Sequence, residues 1–131
     1  MNLKTIWVVD DDPIYQIIAN KIIKKSELFS TVFTFKNGKE AIDAFKDSLE
    51  KKHKLPNIIL LDINMPIMDG WEFMEEIKTL SINTEKKVII YIVSSSIAIE
   101  DKIKSKTYPI ILGYLSKPIN TSDLQLIATN D

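Results

Sequence analysis

The sequence contains no cysteine, and its seventeen basic residues are all lysine, with no arginine. The lack of cysteine excludes disulfides, thiolate metal sites and cysteine nucleophiles, and it is typical of a reducing compartment. Eighteen acidic residues bring the net charge to −1, and no basic tract offers a footprint for nucleic acid. The first apolar stretch becomes acidic too early for a signal peptide, and no apolar run is long enough to cross a membrane. We therefore expect a cytoplasmic protein with neither a nucleic-acid nor a membrane partner.

Glycine and proline are also scarce, with three and five residues among 131. A chain of this length with 45% hydrophobic residues has enough apolar side chains for the core of one domain, and its isoleucine-rich composition argues against intrinsic disorder. We expect a single domain over residues 1–131. From this length we also expect no DNA-binding or enzymatic output domain.

Five short apolar runs recur along the chain, each followed by a polar or helical stretch. The second run alternates like a half-exposed strand, whereas the third and fourth are continuous, as in strands covered on both faces. The runs are Ile6–Val9, Thr31–Phe35, Ile58–Leu61, Val88–Val93 and Ile110–Leu115. Strand and helix alternate five times, which predicts an α/β fold with a parallel sheet between helices.

Residues typical of helix starts precede the first three helical segments. Asp12 followed by Pro13 is a typical pair of N-cap and first-turn residue. Asn37 and Asp69, each followed by glycine, precede the second and third segments. These residues predict where the first three helices begin.

The apolar positions of the helical segments recur at helical spacing. The first segment has one isoleucine stripe, the second and third have clear inner faces, and the fourth, around residues 97–106, is mostly charged. These positions are, in order, Ile14, Ile17, Ile18 and Ile22; Ala41, Ile42, Phe45 and Leu49; Phe73, Met74, Ile77 and Leu80; and Ile99 and Ile103. The fifth helix, Thr121–Ala128, is predicted to be barely two turns long.

Polar side chains follow four of the strands at the point where each strand ends. In an open parallel sheet the loops after the strands share one edge, and ligands bind there beside the point where the strand order reverses. These residues are Asp10, Asp11 and Asp12 after the first strand, Asp62 and Asn64 after the third, Ser94, Ser95 and Ser96 after the fourth, and Ser116, Lys117 and Pro118 after the fifth. The sequence therefore predicts that carboxylates, hydroxyls and one ammonium group lie together at this edge of the sheet.

The predicted cluster has the composition of a phosphoryl-transfer site. Neighbouring carboxylates repel one another and need a cation, and hard oxygen ligands favour Mg²⁺, or Mn²⁺, over zinc. Asp62 is a candidate nucleophile, because a carboxylate can form an aspartyl-phosphate. Lys117 would offset charge on the transferred oxygens, and Ser94 would donate a hydrogen bond to the product.

Four motifs together resemble the receiver domain of response regulators in two-component signalling. They are Val8-Val9-Asp10-Asp11-Asp12-Pro13, Leu61-Asp62-Ile63-Asn64-Met65-Pro66-Ile67-Met68-Asp69-Gly70, Val93-Ser94-Ser95 and Gly113-Tyr114-Leu115-Ser116-Lys117-Pro118. Their order and spacing are highly specific, and the resemblance extends from about Lys4 to Ala128. It implies a flavodoxin-like (βα)5 sandwich whose five-stranded parallel sheet has the strand order 2-1-3-4-5.

The resemblance also implies roles for the residues of the predicted site. Asp62 would be the phosphoacceptor and a metal ligand. Asp11 would bind Mg²⁺ directly, Asp10 would bind it through water, and Asn64 would contribute its backbone carbonyl. Lys117 would pair with the phosphoryl group, with a cis peptide bond to the proline that follows it.

A signalling switch is the function that the resemblance implies. Ser94 would occupy the Ser/Thr switch position and Tyr114 the aromatic switch position, and phosphorylation would bias a two-state surface of the fourth helix, fifth strand and fifth helix. The donor would be the phosphohistidine of a sensor histidine kinase or of a histidine phosphotransfer protein, and an unknown downstream protein would bind the surface. We expect a stand-alone receiver rather than a turnover enzyme, and a monomer because the fifth helix is short.

Other functions fit parts of the pattern. A Mg²⁺-dependent phosphohydrolase would carry its nucleophile after the first strand and a general acid two residues later, where Asp12 is expected to cap a helix instead. A carrier of flavin phosphate would not place three carboxylates in that loop, and a pseudo-receiver would lack a site residue. A one-residue slip would put Ser95 in the role of Ser94, and Tyr114 fits a half-buried core position as well as a switch.

The histidine and the tryptophans are better explained by structural roles. His53 lies in a lysine-rich stretch without a carboxylate to orient it, so we expect it on the solvated surface rather than as a phosphate carrier. Trp7 and Trp71 are expected to pack. Trp71 directly follows Asp69-Gly70, and it is predicted to lie near enough to the site to report metal or phosphate by its fluorescence.

Overall fold

Five strands form one parallel sheet in the order β2-β1-β3-β4-β5 in the computed structural model, which describes residues 4–81, 87–95 and 97–129. The strands are β1 (Lys4–Val9), β2 (Phe29–Phe35), β3 (Ile58–Leu61), β4 (Ile89–Ser94) and β5 (Ile111–Ser116). The helices are α1 (Pro13–Ser26), α2 (Gly38–Glu50), α3 (Gly70–Ser81), α4 (Ile99–Ser105) and α5 (Thr121–Thr129). The predicted α/β fold and strand order are confirmed.

Each face of the sheet is covered by its own apolar cluster. On one face, Trp7 and Phe45 belong to a cluster that joins the sheet to α2 and α3. On the other, Ile6 and Leu124 belong to a cluster that joins the sheet to α1 and α5. The central strand β3 is buried along its whole length, which explains why its sequence is a continuous apolar run.

The predicted helix starts are confirmed by hydrogen bonds. Asp12 and Asn37 each accept backbone N–H groups from the first turn of α1 and α2. Asp69 accepts from the backbone N–H of Glu72, whose carboxylate in turn accepts from the backbone N–H of Asp69, at 2.9 and 3.1 Å. This reciprocal pair is a capping box, and it fixes where α3 begins after the loop that follows β3.

Helix α1 leaves three of the four residues of its isoleucine stripe exposed, and only the fourth, Ile22, is half-buried against the core. The buried residues of α1 are Tyr15, Ala19 and Ile23, which form a second stripe at a spacing of four residues. Ile17 of the isoleucine stripe is 57% exposed, and Ile14 and Ile18 are also exposed. Burying an isoleucine contributes roughly 1.5 to 3 kcal/mol, so this exposed face leaves apolar surface that the fold itself does not use.

Helix α4 is short and its two apolar residues face away from the core. It spans Ile99–Ser105, and both Ile99 and Ile103 are exposed. Their spacing therefore does not identify a buried face, and Ser105 is the buried residue of the helix. Helix α5 ends at Thr129, one residue beyond the predicted end. Among the described residues, no helix is long and apolar enough to span a bilayer.

Candidate functional site

Strand pairing places two carboxylates side by side at one edge of the sheet. Val9 of β1 and Leu61 of β3 are register partners, so Asp10 and Asp62, which follow them, lie next to each other. The backbone N–H of Asp62 donates to the carbonyl oxygen of Val9 at 2.9 Å, and that of Asp10 donates to the carbonyl oxygen of Phe35 at 3.0 Å. The sheet itself therefore fixes the backbone beneath both side chains.

Asp10, Asp11 and Asp62 form an acidic cluster at this edge. One carboxylate oxygen from each lies within 4.8 Å of the other two. Asp10 and Asp62 are 2% and 9% exposed, whereas Asp11 is open to solvent. Three hard oxygen donors around one partly open space fit a hard divalent cation such as Mg²⁺, which keeps several water ligands.

Lys117 reaches the same cluster from the end of β5. Its backbone N–H donates to the carbonyl oxygen of Ser94 at 3.0 Å, which holds this loop beside β4. Its ammonium nitrogen lies 2.6 Å from Oδ2 of Asp10 and 3.7 Å from Oδ2 of Asp62. The peptide bond to Pro118 is cis, as the resemblance implies.

The charges of the cluster act strongly on Asp62. Burial, followed by repulsion from Asp10, raises the pKa of Asp62 from 3.8 to about 6, although Lys117 and the backbone N–H of Ile63 oppose this. Burial disfavours the Lys117 ammonium, but the hydrogen bond and charge of Asp10, with Asp62, hold the pKa of Lys117 above its usual value. The site therefore stabilises a cation next to a carboxylate that is costly to ionise.

Without a divalent ion, we expect Asp62→Asn to stabilise the fold at neutral pH. The folded chain holds a proton on Asp62 between about pH 3.8 and 6 that the unfolded chain has released, so stability falls as pH rises through this window. Above it, the cost is roughly 1 to 3 kcal/mol at about 1.4 kcal/mol per pKa unit. Urea unfolding in EDTA should show a higher free energy of unfolding for Asp62→Asn than for wild type at pH 7.5 but not at pH 4. An equal gain at both values would contradict the ionisation of Asp62 as its cause.

Gly70, which the sequence predicts only as part of a helix start, and Gln16, which no motif includes, shape the loops around the carboxylates. A Cβ atom on Gly70 would lie 2.7 Å from the carbonyl oxygen of Asp62, so only glycine fits where α3 begins against this loop. The side-chain amide of Gln16 donates to the carbonyl oxygens of Asp10 and Phe35, at 2.6 and 2.8 Å. The pattern Asp-Gly signals a helix entry but not this close backbone approach.

The other predicted site residues follow β3, end β4 or lie on β5. Asn64 is exposed in the loop after β3, and Ser94 is half-buried at the end of β4. Tyr114 on β5 is 44% exposed, and the ammonium of Lys102 from α4 lies 5.2 Å from its ring centroid. Ser96, one of the alternative hydroxyls, lies outside the described residues. These positions are compatible with the roles that the resemblance implies, and the roles stay predictions.

Trp71 packs between α3 and α4. Its indole N–H donates to Oδ1 of Asp101 at 3.0 Å, and its ring stacks on Tyr108 with centroids 5.9 Å apart. The ammonium of Lys104 lies 5.1 Å from the indole ring. Trp71 therefore contacts α4 and the turn that follows it, and its predicted response to metal or phosphate stays a prediction.

Comparison with known proteins identifies a family over nearly the whole chain. A family model for the response regulator receiver domain matches residues 6–129. The cell cycle response regulator CtrA of Brucella ovis is 32% identical over 122 residues, which cover 93% of this chain and 47% of CtrA. The chain thus spans about half the length of this relative, and the predicted lack of an output domain stays a prediction.

Solved structures of similar proteins have the same fold. A two-component response regulator from Cytophaga hutchinsonii superposes with a TM-score of 0.88 at 25% identity, with each chain fully covered. The phosphorylated cyanobacterial phytochrome response regulator RcpA superposes with a TM-score of 0.75 at 29% identity, covering 96% of this chain and 89% of RcpA. The architecture and the family therefore agree.

Proposed function

We propose, because this chain belongs to the response regulator receiver domain family of two-component signalling, that it is a switch controlled by phosphorylation of Asp62. The main support is the acidic cluster itself: the carboxylates of Asp10, Asp11 and Asp62 lie close together, and the Lys117 ammonium is within 4 Å of two of them. A buried carboxylate beside a held cation suits a nucleophile in a site that receives the negative charge of a phosphoryl group. Intact-mass measurement after incubation with Mg²⁺ and acetyl phosphate tests this proposal.

In the proposed reaction, a carboxylate oxygen of Asp62 attacks the phosphorus of a phosphohistidine on the donor protein. A new P–O bond forms, the P–N bond breaks, and its electron pair returns to the imidazole nitrogen, which takes a proton from solvent. Oδ1 of Asp62 accepts the backbone N–H of Ile63 at 2.9 Å, which orients the carboxylate. Lys117 would leave Asp10 and pair with the new phosphoryl oxygens, offsetting their charge.

The carboxylates fit Mg²⁺, and Mn²⁺ as an alternative, as the resident ion. Asp10, Asp11 and Asp62 would hold it, with the backbone carbonyl of Asn64 as the fourth protein group. When bound, the ion supplies positive charge that lowers repulsion between the carboxylates and the incoming phosphoryl oxygens. The hard-oxygen composition of the cluster supports this assignment.

Asp11→Ala is expected to weaken Mg²⁺ binding by roughly tenfold or more, because one of three carboxylate donors is removed. Asp11 is exposed, so the substitution should leave the fold intact. Calorimetric titration with MgCl2 measures the effect. The matched control is Asp43→Ala, which removes an exposed carboxylate of α2 that pairs with Lys39. Equal affinities in wild type and Asp11→Ala would remove Asp11 from the metal site.

The exposed isoleucine stripe of α1 supports docking of the phosphodonor protein near the cluster. Ile14, Ile17 and Ile18 are exposed on a helix that begins directly after the acidic loop. Ile67 in the loop after β3 is 80% exposed. Apolar side chains beside the acceptor would contact a sensor histidine kinase or a histidine phosphotransfer protein.

The output would be a change in the surface of α4, β5 and α5. Ser94 and Tyr114 would couple the phosphoryl group to this surface, which an unknown downstream protein would bind. The chain would act in the cytoplasm as a switch rather than as a turnover enzyme, and we retain a monomer as the expected state. The capping of α1 by Asp12 disfavours a phosphohydrolase, which would need that carboxylate as its general acid.

A further inference from the structure

Tyr15 contacts the cation of the site from the buried side of α1. Its ring centroid lies 4.6 Å from the ammonium nitrogen of Lys117, and the residue is 7% exposed. The ammonium therefore lies over an aromatic ring and at the same time contacts the carboxylates of Asp10 and Asp62. A cation over a ring face is attracted by the quadrupole of the ring, most strongly where water is excluded.

The ring of Tyr15, rather than its hydroxyl, provides this contact. The hydroxyl oxygen is buried and makes no hydrogen bond to any described residue. Burial, with the negative charges of Asp10 and Asp62, raises the pKa of Tyr15, so the side chain stays neutral. The ring is held by packing, since Tyr15 belongs to the apolar cluster between α1, α5 and the sheet. Phenylalanine would therefore preserve the contact.

A ring face restricts the position of an ammonium group less than a short ion pair with a carboxylate does. The short contact of 2.6 Å joins Lys117 to Asp10, whereas Asp62 is 3.7 Å away. To pair with a phosphoryl group on Asp62, the ammonium must move toward that side chain. A cation over a ring face is attracted within about 6 Å of the ring centroid, and the ammonium now lies at 4.6 Å, so a short movement toward Asp62 keeps it within this range.

We propose that Tyr15 is a positioning residue for phosphoryl transfer, whose ring keeps the Lys117 ammonium on the side of the site that faces Asp10 and Asp62. This inference rests on the proposed function of Asp62 as phosphoacceptor. The buried ring limits the positions that the lysine side chain can adopt. Its loss would let the ammonium sample positions from which it cannot meet the phosphoryl oxygens.

Two substitutions at Tyr15 separate the ring from the hydroxyl. Tyr15→Leu should slow phosphorylation by acetyl phosphate in Mg²⁺ by about tenfold, whereas Tyr15→Phe should stay close to wild type. NMR provides an independent signature, because ring current shifts the ε-methylene protons of Lys117 upfield. This shift should persist in Tyr15→Phe and disappear in Tyr15→Leu. Tyr91→Leu, a buried tyrosine of the same cluster, should change neither observable.

Each contrary outcome identifies a different failure. A wild-type spectrum without the upfield shift would show that the ring does not contact Lys117, and this measurement requires no variant to fold. Wild-type rates in Tyr15→Leu, or equal slowing in Tyr15→Phe, would overturn the positioning role of the ring. If wild type takes up no phosphoryl group while the shift is present, the proposed function has failed, and the inference fails with it although its geometry holds.

Discussion

Asp62→Asn is expected to abolish labelling of the chain by acetyl phosphate. The amide cannot form the acyl phosphate, and the substitution keeps the size and the hydrogen-bond acceptor that meets the backbone N–H of Ile63. The loss should therefore be chemical and not a consequence of unfolding. Intact-mass spectra of wild type and variant, taken in Mg²⁺ over the same time course, measure it.

The controls for this experiment come from other carboxylates of the chain. Asp43→Asn removes an exposed carboxylate of α2 and should leave labelling unchanged. Asp12→Asn keeps an N-cap side chain at the start of α1 and should also be labelled. Labelling that persists in Asp62→Asn would assign the phosphoacceptor to another residue.

Lys117→Ala is expected to destabilise the chain strongly when no divalent ion is present. The substitution leaves Asp10, which is 2% exposed, without its partner at 2.6 Å. Removing one member of a buried ion pair costs about 3 to 5 kcal/mol, and the partial exposure of Lys117 lowers the expected loss to about 2 to 4 kcal/mol. Urea unfolding in EDTA at pH 7.5 measures this loss of stability. The control is Lys36→Ala, which removes an exposed lysine.

Mg²⁺ should recover part of this stability, because it replaces the missing positive charge. Lys117→Ala should bind Mg²⁺ at least as tightly as wild type, since a neighbouring cation has been removed.

Lys117→Ala should nevertheless lose the phosphorylation-linked change around Tyr114, which NMR shifts of that ring would report. An unchanged response at Tyr114 would remove Lys117 from the mechanism, and unchanged stability in EDTA would show that its ion pair contributes little.

The location of the acidic site could be predicted because it follows from strand pairing. The apolar runs that end at Val9 and Leu61 indicate two strands, and the resemblance implies that these strands are neighbours. The residues after them therefore meet at the sheet edge, as the structure shows. The same argument brings Lys117 to the cluster from β5. Such predictions depend on the strand order and on where each strand ends, and a change from apolar to polar residues shows the strand ends clearly.

The buried face of α1 could not be predicted in the same way. Two apolar stripes run along this helix, and the one richer in isoleucine is exposed while Tyr15, Ala19 and Ile23 are buried. Hydrophobic spacing identifies an apolar face but not which molecule covers it. A surface that a partner buries has the same pattern as a surface that the core buries.

The role of Tyr15 depends on contacts that residue order does not contain. Tyr15 and Lys117 are 102 positions apart in the sequence, and they meet because α1 packs on the sheet face beside the loop after β5. An aromatic residue at a helical position predicts burial in general. The sequence signal that points to this tyrosine is its spacing of four residues from Ala19 and eight from Ile23.

Mapping the phosphoryl group on the wild-type chain decides whether Asp62 is the phosphoacceptor. The chain is incubated with acetyl phosphate, with Mg²⁺ or with EDTA, then treated with borohydride, which reduces an acyl phosphate to homoserine, and its peptides are sequenced by mass spectrometry. We expect one modified residue, at position 62, and modification only in Mg²⁺. No modification, modification of another carboxylate such as Asp10 or Asp11, or equal modification in EDTA would show that Asp62 is not a Mg²⁺-dependent phosphoacceptor.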